Sequence, residues 1–206
     1  MNLSKTKKYF ILTLSFSAIS CHQPTEFSQK EGVIMPLEVG NTWSYRVTYF
    51  DSLGNAGQID TFSTTIVLKA AVFNDITQAN EEWFSSGMYY YMNRQTGLFR
   101  ASRLPLSSYG FLVAKYPARE KDSYNAFTSD PGDSYIVTVV STHEYTSVPE
   151  GSYSCYVYQW QGDNLKMFQY YAPNRGLIRE DVHFKPLDGG NWFLLYRHEL
   201  ISLDLK

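Results

Sequence analysis

Short runs in which apolar and polar residues alternate, each closed by turn-forming residues, recur along almost the whole chain and restrict its fold more than any other feature. The run 42–50 sets the pattern: Trp43, Tyr45, Val47 and Tyr49 fall on one face and Ser44, Arg46 and Thr48 on the other, because successive side chains of an extended strand point to opposite sides. No stretch carries the i, i+3, i+4, i+7 apolar spacing of a substantial helix. The 17 tyrosines, 13 phenylalanines and 4 tryptophans reinforce the bias toward strands. The expected fold is mainly β: a single curved antiparallel sheet or half-barrel of about ten strands, with at most one or two short helices.

The strands are expected at 42–50, 58–71, 83–93, 98–103, 108–116, 134–148, 153–160, 165–172, 176–185 and 192–203. In the second of these, Phe62, Thr64, Ile66 and Leu68 share a face. Residues 74–82 are polar and are read as one short helix, and 117–131 as a surface loop. Turn chemistry stands between the runs, for example Arg94-Gln-Thr-Gly97, Pro149-Glu-Gly151 and Gly162-Asp-Asn164. The last hairpin can be registered. A two-residue turn at Asp188-Gly189 places Phe184 opposite Phe193, Val182 opposite Leu195, Glu180 opposite Arg197 and Arg179 opposite His198.

The first residues read as a targeting segment. Lys5, Lys7 and Lys8 precede an uncharged run, 9–19, too short to span a bilayer as a helix. It ends in Ala18-Ile19-Ser20-Cys21, which resembles the lipobox of bacterial lipoproteins, although leucine is usual where Ala18 stands. The expected organisation is a signal peptide over 1–20, a lipidated Cys21 with a flexible tether to residue 35 that does not pack, and one β domain over 36–206. An ordinary secretory signal is the alternative. Cleavage before Cys21 removes three lysines and no acid, moving the net charge from −2 to −5. Two or more acyl chains would anchor the protein to the membrane without any transmembrane helix. Neither the charge nor the pI of about 6.1 suits a nucleic-acid partner.

Chemistry-bearing motifs are scarce. Gly54-x-x-Gly57 lacks the third glycine and following helix of a phosphate loop and reads as a hairpin turn. There is no G-x-S-x-G elbow, Walker loop or H-E-x-x-H motif. With Cys21 acylated, Cys155 is the one free thiol, flanked by aromatics and without a neighbouring base, so a buried strand residue is expected rather than a nucleophile. Asp181-Val-His183 could place a carboxylate and an imidazole together as a partial metal or acid/base site, but the same pattern arises on a solvated sheet face. Glu180 and Asp181 point to opposite faces and cannot act as a carboxylate pair. No cofactor is expected.

Aromatic surface remains. Trp43, Tyr45 and Tyr49, with Phe62, Ile66 and Leu68 from the next strand, are the candidate lining of an apolar groove. The same alternation would also build a solid core.

Three segments carry a resemblance: Pro36-Leu-Glu-Val-Gly-Asn-Thr-Trp-Ser-Tyr45, Val148-Pro-Glu-Gly-Ser-Tyr-Ser-Cys155 and Tyr171-Ala-Pro-Asn-Arg-Gly-Leu-Ile178. They resemble the P-L-x-x-G-N-x-W-x-Y, V-P-x-G-[TS]-[FY]-x-C and Y-A-P-x-x-G-L-[IV] patterns of uncharacterised bacterial envelope lipoproteins. Asn174-Arg175 departs from the turn usual in that group. The resemblance implies a curved antiparallel sheet similar to the half-barrels of lipoprotein-localisation factors, and implies no catalytic residue. The resulting expectation is a lipid-anchored, non-enzymatic protein of the cell envelope, at the outer membrane, that binds an apolar ligand or another envelope protein. A structural or surface-interaction lipoprotein without a small ligand is the alternative, and a hydrolase-type enzyme the third.

Overall fold

Strands with one apolar face must bury it against a second layer, and here the chain supplies that layer itself. The structure, a computed structural model, describes residues 32–74, 79–101, 110–127 and 134–206. Among these are thirteen strands and no helix: β1 (Thr42–Phe50), β2 (Ala56–Thr65), β3 (Leu68–Asn74), β4 (Ala79–Ser85), β5 (Tyr90–Arg94), β6 (Gly97–Ala101), β7 (Phe111–Lys115), β8 (Ser123–Phe127), β9 (Ser134–Val148), β10 (Gly151–Gln161), β11 (Leu165–Ala172), β12 (Gly176–Phe184) and β13 (Phe193–Asp204). The expected single sheet is in fact two open antiparallel sheets. One has eight strands in the order β2-β1-β13-β12-β11-β10-β9-β8, the other five in the order β3-β4-β5-β6-β7.

The chain passes between the sheets twice. The apolar run expected as one strand over 58–71 breaks at Ile66-Val67, leaving β2 on the edge of the large sheet and β3 on the edge of the small one. Ile66 stays fully buried at this crossing, its backbone bonded to Asn41 and Gly40. Residues 116–122 make the return passage, so 117–131 is not a plain surface loop: β8 lies within it and pairs with β9. Of the run 74–82, expected as a short helix, residues 74 and 79–82 belong to strands β3 and β4, and 75–78 lie outside the described residues. Asn74 pairs with Ala79 at the end of the β3–β4 ladder. The run 83–93 is likewise two strands, parted by the Ser86–Tyr89 turn, where Gly87 has φ +86°.

The principal core lies between the sheets. Trp43, Tyr158, Trp160, Ile178 and Leu200 from the large sheet meet Phe84, Leu98 and Val113 from the small one, each fully buried large side chain contributing about 1.5–3 kcal/mol. Consecutive rings divide between faces as a strand requires: Tyr171 enters this core, whereas Tyr170 turns outward beneath the Arg179 guanidinium, 5.0 Å from its ring centroid. Trp83, Met92 and Ala101 form a smaller cluster on the other face of the small sheet. The domain also starts earlier than residue 36. Val33, Ile34 and Met35 are buried, and the Asn174 and Gly176 amides donate to the carbonyls of Val33 and Ile34. These three apolar residues pack because the end of the sheet offers them a partner, so the expected tether cannot extend to residue 35.

The β12–β13 register is partly as expected and then shifts. Phe184 faces Phe193 at a ring separation of 6.0 Å, but a β-bulge follows: His183 pairs with Leu194 and Val182 with Tyr196. One extra residue on β13 displaces every later pair. Glu180 therefore meets His198 and not Arg197, Asp181 meets Arg197, and Arg179 meets Glu199. The connection is also longer than a two-residue hairpin. It closes with the Gly189 amide on the Pro186 carbonyl at 3.2 Å, and Gly189 has φ +88°.

Candidate functional site

The inward face of β1 runs from solid core to open rim. Trp43, Tyr45 and Val47 are buried, while Tyr49, at the strand end, is 40% exposed. Beside β1 lies β2, whose ten residues are exposed or half-buried on both faces. Its one inward aromatic, Phe62, is 41% exposed and stacks on Tyr45 at 5.2 Å. On the other side of β1, the rings of Tyr196 and His198 stack at 4.8 Å. His198 also meets Phe62 edge-on at 5.2 Å, and Tyr196 lies 6.1 Å from Tyr49. Tyr49, Phe62, Tyr196 and His198 thus form an aromatic rim next to the free edge of the large sheet.

A polar row crosses the inner face behind that rim. Strand pairing aligns Val47, His198, Glu180, Gln169 and Tyr158. The Glu180 carboxylate accepts from Gln169 Nε2 at 2.7 Å and lies 3.3 Å from His198 Nδ1. Burial pushes its pKa up, but the His198 contact, the Gln169 bond and the Arg100 charge together outweigh burial and bring it below the usual carboxylate range. His198 is therefore oriented by a carboxylate, with Nε2 making no hydrogen bond among the described residues. A carboxylate–imidazole pair moves a proton where a nucleophile or substrate hydroxyl is held against it; among the described residues no side-chain hydroxyl or thiol is hydrogen-bonded to His198.

The outer face carries a different network. Asp181 accepts from Arg179 through Nε and Nη2, and from Arg197 through Nε at 2.7 Å and Nη2 at 3.1 Å. Its pKa is raised by burial and lowered more strongly by these two guanidinium groups. With the carboxylate so occupied, Asp181 and His183 make no metal site. His183 lies edge-on to Phe168 at 5.7 Å; burial lowers its pKa, Asp181 opposes that, and Lys166 and Arg197 add to it. Among the described residues no group of three His, Cys, Asp or Glu is placed to hold a metal ion. Cys155 is buried in the core, and burial pushes its thiol up to about 11, which removes the thiolate a nucleophile needs.

The six expected groove residues do not line one groove. Trp43, Tyr45 and Ile66 are core, Leu68 begins a strand of the other sheet, and only Tyr49 and Phe62 are exposed near one another. Alternation reports which side of a strand is apolar but not whether a second layer covers it, and here the small sheet does. Sequence reasoning missed the Glu180–His198 pair, since the bulge that creates it has no residue signature. Cys21 lies outside the described residues.

The first and third of the segments that carried the resemblance meet in space. Trp43 Nε1 donates to the Arg175 carbonyl at 2.6 Å, and the Tyr45 hydroxyl to that of Leu177 at 2.9 Å. Gly176 has φ +93°, and a Cβ there would come within 3.1 Å of both Trp43 and Met35. These residues lock the β11–β12 turn onto β1, a structural task.

No protein-family model matches the chain, and no curated protein matches it. Among solved structures it is similar to a Bacteroides fragilis protein inferred to be exported and described as having a YmcC-like fold, with 12% identity and a TM-score of 0.42, over 84% of this chain and 100% of that one.

Proposed function

We propose that the chain is a lipid-anchored, non-enzymatic protein of the cell envelope, at the outer membrane, that binds an extended segment of another envelope protein along β2. The observation that carries this reading is the state of that strand. It is a ten-residue edge strand exposed over most of both faces. Asp60 is its one charged residue, and it has neither proline nor lysine. Edges of this length are ordinarily blunted by such residues, because their unpaired N–H and C=O groups template the addition of another strand. Ile59, 61% exposed on the outer face, and Phe62 on the inner face would receive alternate side chains of the added segment. The filled interior favours this surface over a buried apolar ligand. The lipobox-like end at Cys21 and the resemblance to envelope lipoproteins support the anchor and the location.

The test is photo-crosslinking in intact cells, with a photoreactive residue at Ile59 or Phe62 and a control at Tyr145, which is 85% exposed on β9. Discrete adducts from both β2 positions and none from Tyr145 are expected. The same pattern from all three positions, or no adduct from β2, would refute the reading.

A further inference from the structure

At the end of the large sheet where the β9–β10 and β11–β12 turns meet the last residues of β13, a cavity of about 370 Å³ is lined by Glu150, Tyr153, Arg175, Leu203, Asp204 and Leu205. The volume lies within the range of small-molecule sites. Its walls are held independently of any ligand. The Glu150 amide donates to the Leu200 carbonyl at 3.2 Å, the Arg175 carbonyl accepts from Trp43, and the Lys206 amide donates to Asn41 Oδ1 at 2.8 Å.

Two of the lining groups are unanswered. Glu150 Oε2 is buried with no hydrogen-bond partner, and the Arg175 guanidinium makes no hydrogen bond or ion pair among the described residues. They do not pair with each other. A carboxylate only accepts and a guanidinium only donates; the exposed Arg175 guanidinium is reached by water at the rim, whereas the buried Glu150 Oε2 is costly to leave unmet. A hydroxyl satisfies both. Charge narrows the choice further: Arg175 and Lys206, whose ammonium lies 3.1 Å from Asp204, oppose a ligand cation, while Glu150 and Asp204 oppose a ligand anion. Tyr153, Leu203 and Leu205 add an apolar wall suited to the C–H face of a ring. We infer that this cavity binds a neutral saccharide unit, with hydroxyls donating to Glu150 and accepting from Arg175. The site is separate from β2 and does not depend on its role.

Saturation-transfer NMR on the full chain in a polyoxyethylene detergent, which carries no sugar, tests this. The probes are cellobiose, maltose and N,N′-diacetylchitobiose, with glycylglycine as the zwitterionic comparison. Transfer to at least one disaccharide is expected, and chitobiose alone would point to an amino-sugar glycan. Glu150→Ala and Arg175→Ala should each weaken binding about tenfold or more, while Leu187→Ala, at an exposed loop tip outside the cavity lining, should leave it unchanged. No transfer from any disaccharide to a chain with its usual Tm, unaltered binding in both cavity variants, or binding of glycylglycine alone would overturn the assignment.

Discussion

Asp181→Asn tests the displaced β12–β13 register through its energetics. The carboxylate, 7% exposed, is shared by two guanidinium groups that are 23% and 29% exposed. The amide keeps one acceptor oxygen, so most of four charge-assisted hydrogen bonds are lost and two cations face each other without a counter-charge. Breaking a fully buried pair costs about 3–5 kcal/mol, and an exposed pair contributes about 0–1. Half-buried partners put the loss between these, roughly 2–3 kcal/mol. Arg197→Ala leaves the Arg179 fork in place and should cost only about 1 kcal/mol. In a double-mutant cycle the pair should couple by roughly 0.5 kcal/mol or more. Urea unfolding followed by the fluorescence of the buried tryptophans supplies the numbers. The pH dependence has a definite sign: a carboxylate whose pKa is depressed on folding contributes stability present above its unfolded pKa, about 3.9, and lost as pH falls through the lower folded value. Wild type should therefore lose stability below about pH 4, and Asp181→Asn should lose less over the same interval. Glu180, also depressed, retains part of the slope in the variant. A cost below about 1 kcal/mol for Asp181→Asn, or no coupling to Arg197, would mean that the bulge is misplaced.

Gly97 has φ +135°, and a Cβ there would lie 2.0 Å from the Ala114 carbonyl oxygen, so Gly97→Ala should cost about 3 kcal/mol or more or prevent folding. Gly54→Ala, with φ +84° and nothing within 4 Å, should cost only about 1–2 kcal/mol; thermal unfolding ranks the two. The Cys155 thiol should not react with a disulfide reagent in the native protein and should titrate fully once urea unfolds it. Cys21→Ala should abolish labelling by radioactive palmitate and release the protein from membranes, whereas unchanged labelling and fractionation would sink the anchor. Ile59→Lys should alter stability by no more than about 0.5 kcal/mol and still abolish the β2 crosslinks.

Local physics made much of the fold legible. The alternation from Thr42 to Phe50 names the residues that point inward, and the strands Ser134–Val148 and Leu165–Ala172 stand where the pattern and its flanking turns put them. Glu180 and Asp181 lie on opposite faces, since side-chain direction on a strand depends only on the backbone repeat. The errors share one cause, because each depends on a partner distant in sequence. Ile66-Val67-Leu68 breaks the alternation with three apolar residues in a row, but such a run reads as readily as a continuous buried strand as a change of sheet. Val33 and Ile34 pack because the β11–β12 turn offers them the backbone amides of Asn174 and Gly176 and the Asn174 side-chain oxygen, some 141 positions away, and the Met35 carbonyl accepts from Asn93. The candidate site failed for the same reason. Trp43 and Phe62 carry the same alternation signal, yet the first is sealed beneath the small sheet and the second stands on an uncovered edge. The pairing of Glu180 with His198 follows from one inserted residue in β13, a bulge stabilised by the whole sheet and not by the residues that form it. Sequence alone determined which side chains must leave water; the second layer decided where they go, because burial is a property of two surfaces and a strand encodes only one of them.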